Sequence, residues 1–171
     1  MLTISLIDLI TQEANSQGVP PSLALAVAQQ ESGMNPSATG QSGEIGLFQL
    51  LPSSFPGFST SDLRDVNTNT NLGIGYLADL YDQFGDWATA LAAYNAGPGN
   101  VSKGIIPAST QTYVSNILSN ANLSGDDSDG DDSDFLPGDL AVSSDAGSPV
   151  PGWAALALVG TVGIIAALSW S

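Results

Sequence analysis

The 171-residue chain contains no cysteine and no histidine. The first absence excludes disulfides, thiolate nucleophiles, redox pairs and zinc–thiolate sites. The second excludes a Ser-His-Asp triad and an imidazole-ligated metal. Basic residues are almost as scarce: Arg64 and Lys103 face 17 Asp and Glu, for a formal net charge of −15. Neutralising phosphates takes Lys and Arg, so nucleic acid is not an expected partner. Acid–base catalysis is left to carboxylates, tyrosines or Lys103. Met1 to Gly18 has no Lys or Arg and mixes its apolar residues with polar ones, so it does not read as a secretory signal.

The acids divide the chain into three unlike segments. Nine of them share residues 1–125 with the two bases, eight fall between Asp126 and Asp145, and Val150 to Ser171 carries no charged side chain. Residues 1–121 are expected to form one mainly helical domain with a modest core. Residues 122–149 read as an acidic flexible linker, because Asp, Ser, Gly and Pro supply 20 of these 28 residues. The run Asp126-Asp127-Ser128-Asp129-Gly130-Asp131-Asp132 lacks the alternation of an EF-hand loop and is read as a solvated spacer. Residues 150–171 are expected to form a transmembrane helix. The 21 uncharged residues from Val150 to Trp170 would span about 30 Å as a helix, the thickness of a bilayer core. Trp153 and Trp170 bracket the span as interfacial anchors.

Within the first segment, Leu6, Ile7, Ile10 and Ala14 share a helical face. A second helix is predicted from about Ser22 to Gly33, with Leu23, Ala26, Val27 and Gln30 on one side. Gly33 to Thr70 shows little period and is expected to be loops and short helices. Periodicity returns with Gly73, Leu77, Leu80, Tyr81 and Phe84. Asp86 is placed to cap a helix carrying Trp87, Leu91 and Tyr94, which ends at Gly97-Pro98-Gly99. A last helix holds Tyr113, Ile117 and Leu118.

Three stretches carry more Gly, Asn and Gln than a plain helical core wants: Ala26 to Gly33 with Glu31-Ser32, Gly46-Leu47-Phe48-Gln49-Leu50, and Ala92-Ala93-Tyr94-Asn95-Ala96-Gly97-Pro98-Gly99. In this order they resemble the lytic transglycosylase family, in its soluble-lytic-transglycosylase (goose-lysozyme-like) catalytic domain. Asn71-Leu72-Gly73 with Tyr76-Leu77 looks like the family's N-I-x-x-G-x-x-Y-L helix start, and Tyr113-Val114 like its late Y-V pair. The resemblance covers about residues 5–118. It implies a lysozyme-like fold and a catalytic Glu31, with Ser32, Phe48, Gln49, Tyr94, Asn95 and Tyr113 around the saccharide. It implies no metal or cofactor.

The physics of Glu31 points the same way. In the last turn of a helix, a carboxylate meets the negative end of the dipole, which disfavours ionisation by up to about 1 kcal/mol. Burial against Phe48 or Tyr94 would raise its pKa further, and a carboxyl protonated near neutrality is what glycosidic cleavage requires. By the resemblance, Glu31 protonates the leaving oxygen and then acts as base on the sugar's own 6-hydroxyl, closing a 1,6-anhydro ring. Gln49 and Asn95 offer neutral amides to sugar hydroxyls or N-acetyl groups, Tyr94 a ring face and a hydroxyl, Phe48 an apolar wall. Gly40 stands where the family commonly has a Ser, with Thr39 or Ser42 as substitutes. Glu44 is either a solvated loop acid or a second carboxylate for a hydrolytic variant.

These features imply a membrane-anchored enzyme that cuts peptidoglycan glycan strands between N-acetylmuramic acid and N-acetylglucosamine. A muramidase on the same bond and an inactive wall-binding membrane protein are the alternatives. The expected location is a single-pass C-terminal anchor in a bacterial envelope or in the virion membrane of a bacteriophage, with virion components as further partners.

Overall fold

The computed structural model describes residues 4–123. The acidic linker and the C-terminal transmembrane helix expected from the sequence lie outside the described residues. Among the described residues, no helix is long and apolar enough to cross a membrane.

The architecture is helical: α1 (Leu6–Ser16), α2 (Pro21–Ser32), α3 (Thr60–Arg64), α4 (Val66–Phe84), α5 (Trp87–Ala96), α6 (Pro98–Val101) and α7 (Ala108–Asn120). Short polar residues start α1, α3, α4 and α5. The Ser5, Asp65 and Asp86 side chains accept from the amides of Asp8, Thr68 and Thr89, which satisfies donors that a helix N-terminus leaves open. Left-handed Gly33 and Gly85 close α2 and α4. Two expectations shift. α4 begins at Val66, before its apolar period becomes visible, because Asp65 caps it. Ile7 and Gln30 face water, while Ile10, Ala14, Leu23, Ala26 and Val27 are buried.

α5 is the central element. Every residue from Thr89 to Ala96 is buried, and α4, α6 and α7 pack against it. Its alanines let these neighbours approach closely, so burial comes from all sides and not from one stripe. α2 packs on α1 and α7, which brings the end of α2 to the side of α7.

The segment between α2 and α3 folds back on itself through isolated bridges, Thr39 with Ile45 and Ile45 with Leu50. Asn69 of α4 holds it there. Its amide donates to the carbonyls of Ile45 (2.8 Å) and Leu63 (2.9 Å), and its Oδ1 accepts from the Phe48 amide (2.9 Å). Gly46 is required twice over: its φ is +78°, and a Cβ there would stand 2.4 Å from the Asn69 Nδ2. The sequence pattern placed the motif asparagine at Asn71, which is exposed and donates to Glu13 at 2.7 Å. The buried clamp is Asn69, four residues ahead of Gly73.

Candidate active site

Glu31 occupies the last turn of α2, one residue before Ser32 ends the helix. Gly33 (φ +61°) and Met34 (φ +64°) then turn the chain away in two consecutive left-handed steps. The side chain is partly buried. The Tyr113 hydroxyl, on α7, donates to Glu31 Oε1 at 2.5 Å. Burial raises the Glu31 pKa to about 7, opposed by the Tyr113 hydrogen bond and aided by the charge of Glu44. Burial disfavours the charged form, and the phenol stabilises it once formed. The result is a carboxyl that is half protonated near neutrality.

The surrounding phenols stay protonated. Burial pushes Tyr76 up to about 12, and Tyr94 and Tyr113 well above their ordinary value, with the Glu31 charge adding to the last two. They act as donors and apolar surface, not as bases.

The other candidate residues divide by exposure. Gln49 is partly exposed at φ +45°, its amide donating to the Gly46 carbonyl at 2.8 Å. Ser32 is partly exposed, and its hydroxyl donates to the Ala28 carbonyl. Phe48, expected as a wall of the cleft, has no exposed surface. Its ring lies over Gly73, where a Cβ would meet it at 2.4 Å. Tyr94 was expected to offer its hydroxyl to a sugar; it is 3 % exposed, and that hydroxyl donates to the Phe48 carbonyl at 2.8 Å. Asn95 is 2 % exposed and accepts from Thr110 at 2.7 Å, tying α5 to α7. These three are buried, and the bonds of Tyr94 and Asn95 tie α5 to the loop and to α7. Glu44 also departs from the solvated loop acid: it is buried, and its carboxylate accepts from the Ser42 amide at 3.0 Å. Thr39 and Ser42 are exposed.

The described residues thus bring together a partly buried Glu31 with the Tyr113 hydroxyl on it, and a Gly-Leu-Phe-Gln loop clamped by Asn69. Residues 8–113 match the family model described as the transglycosylase SLT domain. The chain belongs to this family. It is 37 % identical over 138 residues to the soluble lytic murein transglycosylase of Escherichia coli K12, covering 65 % of this chain and 21 % of that protein. It is 34 % identical over 103 residues to the transglycosylase of Enterobacteria phage PRD1, covering 60 % of this chain and 38 % of that one. The fold is similar to the crystal structure of the 70 kDa soluble lytic transglycosylase of Escherichia coli, with a TM-score of 0.59 and 35 % identity over 67 % of this chain and 23 % of that one. It is equally similar, at 32 % identity and the same coverage, to an inactive glutamate-to-glutamine variant of the lytic transglycosylase Slt of Pseudomonas aeruginosa. The chain spans about a fifth of the length of the E. coli relative. As an SLT domain, its shared part is the helical body that carries Glu31.

Proposed function

We propose that this SLT domain is a peptidoglycan lytic transglycosylase that cleaves the β-1,4 bond between N-acetylmuramic acid and N-acetylglucosamine. The observation that carries this function is Glu31, a carboxyl raised to about 7 with the Tyr113 hydroxyl on it. Cleavage needs an acid first and a base second. Glu31 gives its proton to the glycosidic oxygen as the bond to the anomeric carbon breaks. The carboxylate left behind is held by the Tyr113 hydroxyl. It then takes the proton of the sugar's own 6-hydroxyl as that oxygen bonds to the anomeric carbon. The 1,6-anhydro ring closes, Glu31 is protonated again, and no water is consumed. A pKa near the working pH serves both steps.

We assign sugar contacts to the partly exposed Gln49 and Ser32, the latter next to the acid in the chain. Tyr94, Asn95 and Phe48 position the loop and α7 around it. Digestion of purified sacculi tests the proposal. Wild-type chain is expected to release muropeptides one water lighter than hydrolysed ones, and Glu31→Gln to release none. Digestion by Glu31→Gln at the wild-type rate would refute the assignment.

The setting we propose is a membrane surface reached from outside the cell, with residues 122–149 as spacer and 150–171 as anchor. The uncharged C-terminal stretch and the phage PRD1 relative support a virion membrane, with the enzyme opening the wall during entry. The chain should then float with lipid vesicles and co-purify with virions. Its presence in envelopes of uninfected cells would place it with the host.

A further inference from the structure

Tyr76 stands in α4 where the helix turns from its buried face to water. Gly73, Leu77 and Leu80 around it are buried, while Tyr76 is partly exposed. Two aromatic neighbours hold its ring. Phe55 meets it edge-on, with centroids 6.2 Å apart and planes at 83°, and Tyr94 lies 5.4 Å away at 46°. Edge-on and tilted contacts are the arrangements that aromatic rings favour. Phe55 and Tyr94 are almost fully covered, so of the three rings Tyr76 is the one that reaches the surface. Its neighbours also fix its place. The Tyr94 hydroxyl donates to the Phe48 carbonyl at 2.8 Å, and Phe48 precedes Gln49, the partly exposed amide assigned to sugar. Phe55 comes from the chain just past the same loop. The hydroxyls of Tyr94 and Tyr113 are engaged, on Phe48 and Glu31. Among the described residues nothing accepts from the Tyr76 hydroxyl. The covered side-chain atoms without a partner are Asp79 Oδ2 and Thr89 Oγ1, so the Tyr76 hydroxyl is open to water. Burial and the charge of Asp79, one turn along α4, push its pKa up to about 12, and it stays a donor. A rigid ring with a wet, unengaged hydroxyl suits a ligand that is apolar on one side and polar at its edge. A pyranose is such a ligand: its C–H face packs on a ring and its oxygens accept from a phenol.

We propose that Tyr76 binds a sugar of the glycan strand other than the one held at Gln49, with its ring against the pyranose and its hydroxyl donating to a sugar oxygen. The inference rests on the transglycosylase function proposed above and deepens it. No bond is made or broken at Tyr76. A strand long enough to reach both Gln49 and Tyr76 is bound more tightly than a fragment that reaches one of them, so the chain favours long strands over short ones.

The test is calorimetric titration of the full chain carrying Glu31→Gln, which leaves the ligand uncut, with β-1,4 oligomers of N-acetylglucosamine two to six units long. Affinity is expected to step up at the length that reaches Tyr76. Adding Tyr76→Phe removes the unengaged hydroxyl and keeps the ring. It should weaken the long oligomers by about three- to tenfold, the worth of one hydrogen bond, and leave both the shortest oligomer and the urea midpoint unchanged. Tyr76→Leu removes the ring as well and should weaken the long oligomers further. Affinity that is absent or flat with length overturns the proposal, as does a Tyr76→Phe variant that loses nothing or loses equally at every length. A lower urea midpoint in Tyr76→Phe overturns it too, since the hydroxyl would then be bonded within the protein. Digestion of sacculi by wild type separates this proposal from the function it rests on. Anhydro product without the length-dependent loss leaves transglycosylation standing and removes the Tyr76 contact; the loss without anhydro product leaves the sugar contact and removes transglycosylation.

Discussion

Replacing Glu31 by Gln should make the protein more stable as well as inactive, and only above a particular pH. The carboxyl sits near 4.5 in the unfolded chain and at about 7 in the folded one. Below pH 4.5 both states are protonated and burial carries no electrostatic penalty. Between 4.5 and 7 the unfolded state ionises first, so the folded state holds more protons and its stability falls as pH rises. Above 7 the full cost is present. Each pKa unit corresponds to about 1.4 kcal/mol, so the 2.5-unit displacement amounts to about 3 kcal/mol. Glutamine has the same shape, stays neutral, and its carbonyl oxygen can still accept from Tyr113. The gap in unfolding free energy, variant minus wild type, should therefore be close to zero at pH 4 and reach about 3 kcal/mol by pH 8. For a chain of this size that is roughly 6–12 °C in midpoint. Urea titrations followed by far-ultraviolet circular dichroism at pH 4, 6 and 8 measure it, and taking the difference cancels the other titrating groups. A gap that stays constant over this range would mean that Glu31 titrates as a hydrated carboxylate, and the buried-acid account would fall with it.

The same titration governs turnover: cleavage should decline as pH rises through about 7, the pKa of Glu31, which a pH–rate profile on sacculi records. Tyr113→Phe removes the hydrogen bond that lowers the Glu31 pKa, so the alkaline limb should move upward, and the loss of a held carboxylate should slow turnover by on the order of tenfold. Asn69→Leu leaves the Phe48 amide and the Ile45 and Leu63 carbonyls without their partner. Urea unfolding should show a loss of about 3 kcal/mol or more. Tyr94→Phe strands only the Phe48 carbonyl; a loss of about 1–3 kcal/mol in stability, with KM unchanged, is expected, and a large rise in KM would show instead that the hydroxyl meets substrate.

The helical class and most helix ends were readable because they depend on local chemistry: Asp86 as a cap, Gly33 as a stop, apolar residues at helical spacing. The helix-end place and raised pKa of Glu31 were readable as well, since a carboxylate in the last turn of a helix has a local electrostatic meaning. The loop between α2 and α3 was not. Its Gly- and Ser-rich composition suggests hydration, but Asn69 folds it onto α4, and that sends Phe48 inward and buries Glu44. An asparagine in a Thr- and Asn-rich stretch looks like loop until Asp65 is seen to start a helix ahead of it. Tyr94 and Asn95 were recognised by motif, but which way they point depends on α5 being enclosed on all sides, and no periodicity within ten residues reports that.

The bond between Tyr113 and Glu31 joins residues 82 positions apart, and this separation has a consequence in time. At about 5–20 residues per second, a ribosome adds Tyr113 roughly 4–16 s after Glu31. Until α7 is made and docked, Glu31 remains on an open helix end, hydrated and ionised like any surface glutamate. Completion of the domain and the rise of this carboxyl's pKa are thus the same event, and an unfinished chain carries Glu31 as an ordinary ionised carboxylate.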